Sequence, residues 1–254
     1  MDNSPLISLF RTDPTPFPGQ TLPACLDAWE KGVLPEAQIH ATSDLVALLS
    51  LTNDLPPSKS MFEKIEKTPF EKIQKLVIHS SHGLDHLFPT LEEVLEEMRK
   101  DSQRRFLFHL TDSRVFLQVL EEIKQRNLAR QCYFSIHELR WGQIIKKTLP
   151  DATIHYRFKK LTKHLRNAIH HKWIDTIVYV PYKNTLDDIL TYPIESGFSH
   201  WGEIARMYKK SLGVVLLETR ISRREYELLL KSGVRYFSIS NLLDLPLKKT
   251  YFDK

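Results

Sequence analysis

Cysteine and glycine are both scarce in this chain, two and eight among 254. Two thiols, Cys25 and Cys132, are too few for a disulfide framework in a chain this long. The simplest reading is two reduced, core-packed thiols in a reducing compartment, with a single bridge left open. So little glycine, beside 14 prolines, excludes a collagen-like or low-complexity chain. Long apolar runs are missing as well. No stretch approaches the roughly 18 apolar residues that span a bilayer. Met1-Asp2-Asn3-Ser4-Pro5 lacks the basic, then apolar, start of a secretory signal. A cytoplasmic location is expected. Charge of one sign is in short supply too. The formal net charge is +5, with lysine and arginine spread along the chain. No nucleic-acid partner is expected, and the case for an anionic membrane surface is weak.

What is present is an ordinary globular balance, 42% hydrophobic and 26% charged. A chain of this length buries a sizeable core without staples. Short β-branched runs recur between amphipathic stretches. Leu6–Phe10 reads as a strand and Thr21–Lys31 as a helix, with Leu22, Cys25, Leu26 and Trp29 on one face. Ala37–Ala41 and Leu45–Leu51 are short strand candidates. Asp54–Lys75 holds Pro56, Pro57 and Pro69 and reads as an excursion with short helical pieces. Leu76–His79 is a short apolar run, and Ser80–Phe88 is loop-like. Thr90 and Glu93 form a capping box before Leu91, Val94, Leu95 and Met98.

From there the alternation is regular. Strands are expected over Arg105–Leu110, Gln131–Ser135, Ala152–Phe158, Asp175–Val180, Gly213–Glu218 and Val234–Ile239. Helices are expected over Ser113–Asn127, His137–Thr148, Leu161–His171, Gly202–Lys210 and Ser222–Lys231, the last with a capping box in Ser222 and Glu225. About eight strand–helix units in this length predict a (β/α)8 TIM barrel, one α/β domain over residues 1–254. A doubly wound open sheet is the alternative. No Gly-rich phosphate loop follows the first strand, which speaks against a nucleotide-binding version of it.

Several segments then stand out together. They are Phe88-Pro89-Thr90-Leu91-Glu92-Glu93-Val94-Leu95-Glu96, Thr21-Leu22-Pro23-Ala24-Cys25, Phe134-Ser135-Ile136-His137-Glu138-Leu139-Arg140 and Ser232-Gly233-Val234-Arg235-Tyr236-Phe237-Ser238-Ile239. The chain resembles the glycerophosphodiester phosphodiesterases from about residue 6 to 246. The likeness is specific around residues 88–96 and diffuse elsewhere. It implies the same barrel, and a reaction that needs an acid, a base and positive charge on the phosphoryl oxygens. The family carries a His-Arg pair after its first strand, a Glu-x-Asp pair on its second, another His soon after, and a Glu on its third.

Carried over one by one, these positions are mostly substituted. The His-Arg-Gly run falls on Phe10-Arg11-Thr12, keeping the arginine and losing the histidine. The turn that follows falls on Gly19 and Gln20. The Glu-x-Asp pair falls on Gln38 and His40, the second histidine near Leu51, and the third-strand Glu on His109. The resemblance therefore implies the fold more than the activity.

Each candidate has a plainer reading beside it. Arg11 at the barrel mouth would grip a phosphate bidentately, or would merely pair with Asp13 or another acid. His40 and His109 are the candidates for acid–base work or for a borderline metal such as zinc, with Asp112 or Glu218 as a further ligand. The plainer reading is two strand-end histidines without metal, and no cofactor is expected unless the chain is active. His79, His82 and His86 lie close together in a loop and read as solvated. Arg157, Lys159, Lys160, Lys163, Arg166 and Lys172 form a run without an acid. Arg157 and Lys159 are its phosphate-binding candidates, and a solvated helix face is the plain alternative. Trp29, Trp141, Trp173 and Trp201 read as packing residues.

Three functions follow. The first is a diverged, catalytically silent barrel that binds a phosphorylated small molecule or a glycerophosphodiester, or serves as an interaction module. The second is an active phosphoric diester hydrolase with a rebuilt site of His40, His109 and Arg11. The third is a peripheral membrane protein docking through the basic run.

Overall fold

The computed structural model describes residues 5–10, 21–50, 52–55, 63–79, 85–158, 168–180, 207–216, 221–240 and 245–246. In chain order the described strands are β1 (Leu6–Leu9), β2 (Leu34–Ala41), β3 (Ala47–Ser50), β4 (Ile78–His79), β5 (Asp85–His86), β6 (Phe106–Leu110), β7 (Cys132–Ile136), β8 (Thr153–Phe158), β9 (Thr176–Tyr179), β10 (Ser211–Leu216) and β11 (Val234–Ile239). The described helices are α1 (Leu22–Glu30), α2 (Phe70–Ile73), α3 (Leu91–Arg99), α4 (Phe116–Gln125), α5 (Leu139–Thr148) and α6 (Arg223–Lys231). β1, β2 and β6 to β11 are the eight parallel strands of a (β/α)8 barrel. β3 pairs antiparallel with β2, as a hairpin, and β4 with β5 makes a separate small one.

Contacts divide the chain into two compact units, Phe10–Phe134 with Ile144–Ala152, and Met1–Leu9 with Ser135–Gln143 and Thr153–Lys254. In the former, β2 runs parallel to β6 with Gln38 beside His109 and Ala37 beside Phe108. The alternation of side chains gives each strand two faces. Phe106 meets Trp29 of α1 edge-on at 6.4 Å and stacks on Phe108 at 4.6 Å. Phe108 in turn touches Phe134 at 5.9 Å. That face, with Ala37 and Ile39, is the helix-covered side, and all of these strand residues are buried. Burying each phenylalanine there stabilises the unit by roughly 1.5–3 kcal/mol. The opposite, inner face carries Glu36, Gln38, His40, Leu107 and His109.

In the other unit the strand order is β1-β11-β10-β9-β8, all parallel. Tyr226 of α6 packs on Phe237 at 5.2 Å, which marks the helix-covered side of β11. Tyr236 and Ser238 therefore face inward. The Tyr236 hydroxyl shares a 2.6 Å hydrogen bond with Ser8, and its ring lies 4.4 Å from that of His155. Gly213 makes room for it, since a Cβ there would sit 2.5 Å from the Tyr236 ring.

Local signals fix the helix ends. Thr21 accepts from the Ala24 amide, Pro23 occupies the first turn, and Gly32 at φ +68° ends α1. Both expected capping boxes are present, Thr90 with Glu93 and Ser222 with Glu225. α4 begins later than the sequence pattern suggests. The Asp112 carboxylate takes the Arg114 amide at 3.0 Å, which holds this stretch as a turn before the helix. The expected strand at Ala37–Ala41 starts earlier, at Leu34, which brings Glu36 into the sheet. The helices expected over 161–171 and 202–210 and the segment 241–245 lie mostly outside the described residues.

Candidate functional site

The carboxyl ends of the parallel strands are where barrels of this kind place their chemistry. At the ends of β2 and β6, Gln38 and His40 share the inner face with His109. Phe10, which follows β1, meets the His109 ring edge-on at 5.7 Å. A phenyl ring thus stands beside the third-strand histidine. It can pack and exclude water, but it cannot carry a proton.

His109 and His40 are both nearly buried, at 7% exposure each. Their settings differ. The Nε2 of His109 lies 3.7 Å from a carboxylate oxygen of Glu36, whose side chain is fully buried. The Nε2 of His40 is buried with no hydrogen-bond partner among the described residues. Burial lowers the His40 pKa, and the negative charges of Asp112, Glu66 and Asp54 pull it back only in part. His40 is therefore a neutral imidazole near pH 7.

Asp112 is not poised as a ligand. One of its oxygens accepts from the Ala41 amide at 3.1 Å and from the Arg114 guanidinium at 2.6 Å. The other accepts from the Arg114 amide and Nε, both at 3.0 Å. Arg114 also donates to the Ala41 carbonyl at 2.7 Å, and Thr111 to the Ile39 carbonyl at 2.9 Å. These bonds stitch the end of β6 to the end of β2. Burial works to raise the Asp112 pKa, but the bonds from Arg114 and Ala41 outweigh it and hold the carboxyl below its usual range.

In the other unit, β8 turns His155 and Arg157 to the inner face, since His155 meets Tyr236 there. Arg157 is half-buried with its Nε fully covered, so it projects into the barrel side rather than forming an exposed lip.

Arg11, Gly19, Gln20, Leu51, His82, Lys159, Lys160, Lys163, Arg166 and Glu218 lie outside the described residues. His79 stands opposite Asp85 in the small hairpin. Among the described residues no three His, Cys, Asp or Glu are grouped as metal ligands, and no helix is long and apolar enough to cross a membrane. Both cysteines are free and buried, and burial pushes the Cys25 thiol up to about 12.

Sequence reasoning missed Glu36 and Arg114. Glu36 had a signal: with Gln38 and His40 it makes a polar stripe at every second residue, between Ala37, Ile39 and Ala41. Arg114 had none beyond its closeness to Asp112.

The fold is a (β/α)8 barrel shared with solved structures of low sequence identity. Solved glycerophosphodiester phosphodiesterases are among those it resembles. One from Parabacteroides distasonis superposes with a TM-score of 0.70 at 18% identity, covering 94% of this chain and 93% of that one. One from Thermotoga maritima gives 0.65 at 16% identity, with 92% and 94% covered. An Oleispira antarctica phosphodiesterase, solved with the product sn-glycerol-3-phosphate, gives 0.68 at 15% identity, with 93% of each chain covered. No family model and no curated protein matches the sequence.

Proposed function

We propose that this barrel has given up metal-assisted phosphodiester hydrolysis and binds a phosphorylated small molecule at the carboxyl ends of its strands. The observation that carries the proposal is the inner face of β2 and β6. It presents one carboxylate, Glu36, fully buried against an imidazole, beside the neutral amide of Gln38.

A hard divalent cation, which the resemblance implies, prefers several carboxylate oxygens. The donors here are one acid, one amide and two imidazoles, and both Asp112 oxygens are engaged by Arg114 and Ala41. That set does not fit such an ion. The sequence register placed the second-strand pair on Gln38 and His40. The contact between Glu36 and His109 supports moving it two residues earlier, to Glu36 and Gln38. One family acid is then kept and the other has become an amide. Phe10 beside His109 supplies no proton where the enzymes carry a histidine.

Binding of a phosphorylated small molecule is supported by the phosphodiesterase of the same fold solved with the product sn-glycerol-3-phosphate. The test is release of glycerol 3-phosphate from glycerophosphocholine by the purified chain, with magnesium, calcium, zinc or chelator. The expected outcome is no release with any ion, together with measurable binding of glycerol 3-phosphate. Metal-dependent release that a His40→Ala/His109→Ala variant loses would overturn it.

That outcome would favour a second reading, an active hydrolase. The Glu36–His109 pair is the observation on its side. A buried carboxylate beside an imidazole helps to orient the ring. His109 would then be the acid–base residue and Glu36 a positioning residue.

A further inference from the structure

β7 and β8 are neighbours in the sheet. Ser135 is the last residue but one of β7, and Arg157 holds the same place in β8. Phe134 packs on the helix-covered side. So does Ile136, whose Cδ1 would lie 2.7 Å from a Cβ on Gly142 of α5. Ser135, between them, turns to the inner face. It is 5% exposed. Its buried hydroxyl oxygen has no hydrogen-bond partner among the described residues. Buried hydroxyls are nearly always satisfied, so an orphan at a strand end marks a place where something polar docks.

Arg157 lies on the same side, half-buried, with its Nε covered. Beside Val178 and Val215, that face holds several polar side chains. It carries His155, Thr176, Ser8, Tyr236 and Ser238, all buried.

We infer that Arg157 and Ser135 anchor a phosphoryl-binding subsite at the ends of β8 and β7. The guanidinium fork holds two oxygens of the phosphoryl group, and the Ser135 hydroxyl donates to a third. Three free oxygens describe free phosphate or a small phosphomonoester rather than a diester. The inference rests on the reading above that the chain binds a phosphorylated molecule, and it names the residues that do so.

Calorimetric titration and thermal melts with inorganic phosphate, and with glycerol 3-phosphate, test it on the full chain. Wild type is expected to bind and to melt higher with ligand. Arg157→Gln is expected to lose about tenfold or more in affinity, and Arg157→Lys to keep part of it. Ser135→Ala carries a signature that loss of structure would not give. It is expected to raise the ligand-free Tm, by removing a buried unsatisfied hydroxyl, and to weaken phosphate binding about three- to tenfold. If Arg157→Gln and Ser135→Ala keep native circular dichroism and bind both probes as wild type does, the subsite is wrong and the reading of a phosphate-binding barrel survives. If wild type binds neither probe, the reading falls and the subsite falls with it.

Discussion

The two inner faces of this barrel are built from different chemistry. On β2 and β6 the polar groups are mostly ionisable: Glu36, His40 and His109 beside the amide of Gln38, with Asp112 locked to Arg114 at the rim. On β8 and β11 they are mostly hydroxyls around one guanidinium, with Ser8 and Tyr236 joined at 2.6 Å. The helix-covered faces of the same strands do not differ in this way. They are aromatic and aliphatic in both units. The fold therefore rests on the outer faces, and the inner ones are open to rewriting.

The largest expected effect breaks that division. Phe108→Ala removes a fully buried ring stacked on Phe106 and touching Phe134. It should cost about 3–5 kcal/mol of stability in urea denaturation. Gln38→Leu, on the inner face of the neighbouring strand, should cost under about 0.5 kcal/mol. Equal losses from the two would mean that the inner face carries the fold as well.

The inner faces can then be set against each other. A double-mutant cycle of Glu36→Gln and His109→Gln should show coupling of about 0.5–3 kcal/mol, read by urea denaturation. Tyr236→Phe in the other unit removes one neutral hydrogen bond and should cost about 1–2 kcal/mol.

His40 sharpens this further. Its folded pKa lies below the ordinary 6.5, because burial disfavours the charged ring. Above pH 6.5 the imidazole is neutral in both folded and unfolded chains and adds no pH dependence. As pH falls below 6.5 the unfolded chain takes up the proton first, so stability drops until the folded pKa is reached. His40→Gln should remove that part of the drop. Parallel stability curves for wild type and variant from pH 8 to 5 would show that His40 titrates normally.

How much of this was legible in the sequence depends on how local each signal is. Thr90 with Glu93 and Ser222 with Glu225 announced their helices, because a capping box is complete within four residues. The alternation of β-branched runs and amphipathic stretches gave the barrel. The family likeness drew attention to Phe10 and His109, which the structure brings into contact. Glu36 escaped because the strand was started one residue too late to include it. The Asp112–Arg114 clamp escaped because its partner, the end of β2, lies some seventy residues away in the chain. The Ser135 orphan is invisible in sequence, since it depends on every neighbour being turned elsewhere.

Leu45 is a further feature that composition hides, and it yields the smallest expected effect. It sits at φ +64° in the turn joining β2 to β3, half exposed, between Thr42 and Val46. A branched side chain is disfavoured in that left-handed region by about 1–2 kcal/mol. Asn127, the corresponding residue after α4 at φ +58°, is a type that tolerates it. Thr42 and Asp44 hold the Leu45 turn in place. The Thr42 hydroxyl donates to Asp44 at 2.5 Å and accepts from the Val46 amide at 2.9 Å, and Asp44 takes the Phe70 amide at 2.9 Å. Leu45→Gly relieves the strain and gives up little buried surface, but it adds freedom to the unfolded chain. The net gain should be roughly 0.5–1 kcal/mol in urea denaturation. Asn127→Gly, where no such strain exists, should give almost none. A loss of stability at Leu45→Gly would mean that its side chain covers β3 and that the turn is held by packing rather than by the Thr42 and Asp44 bonds.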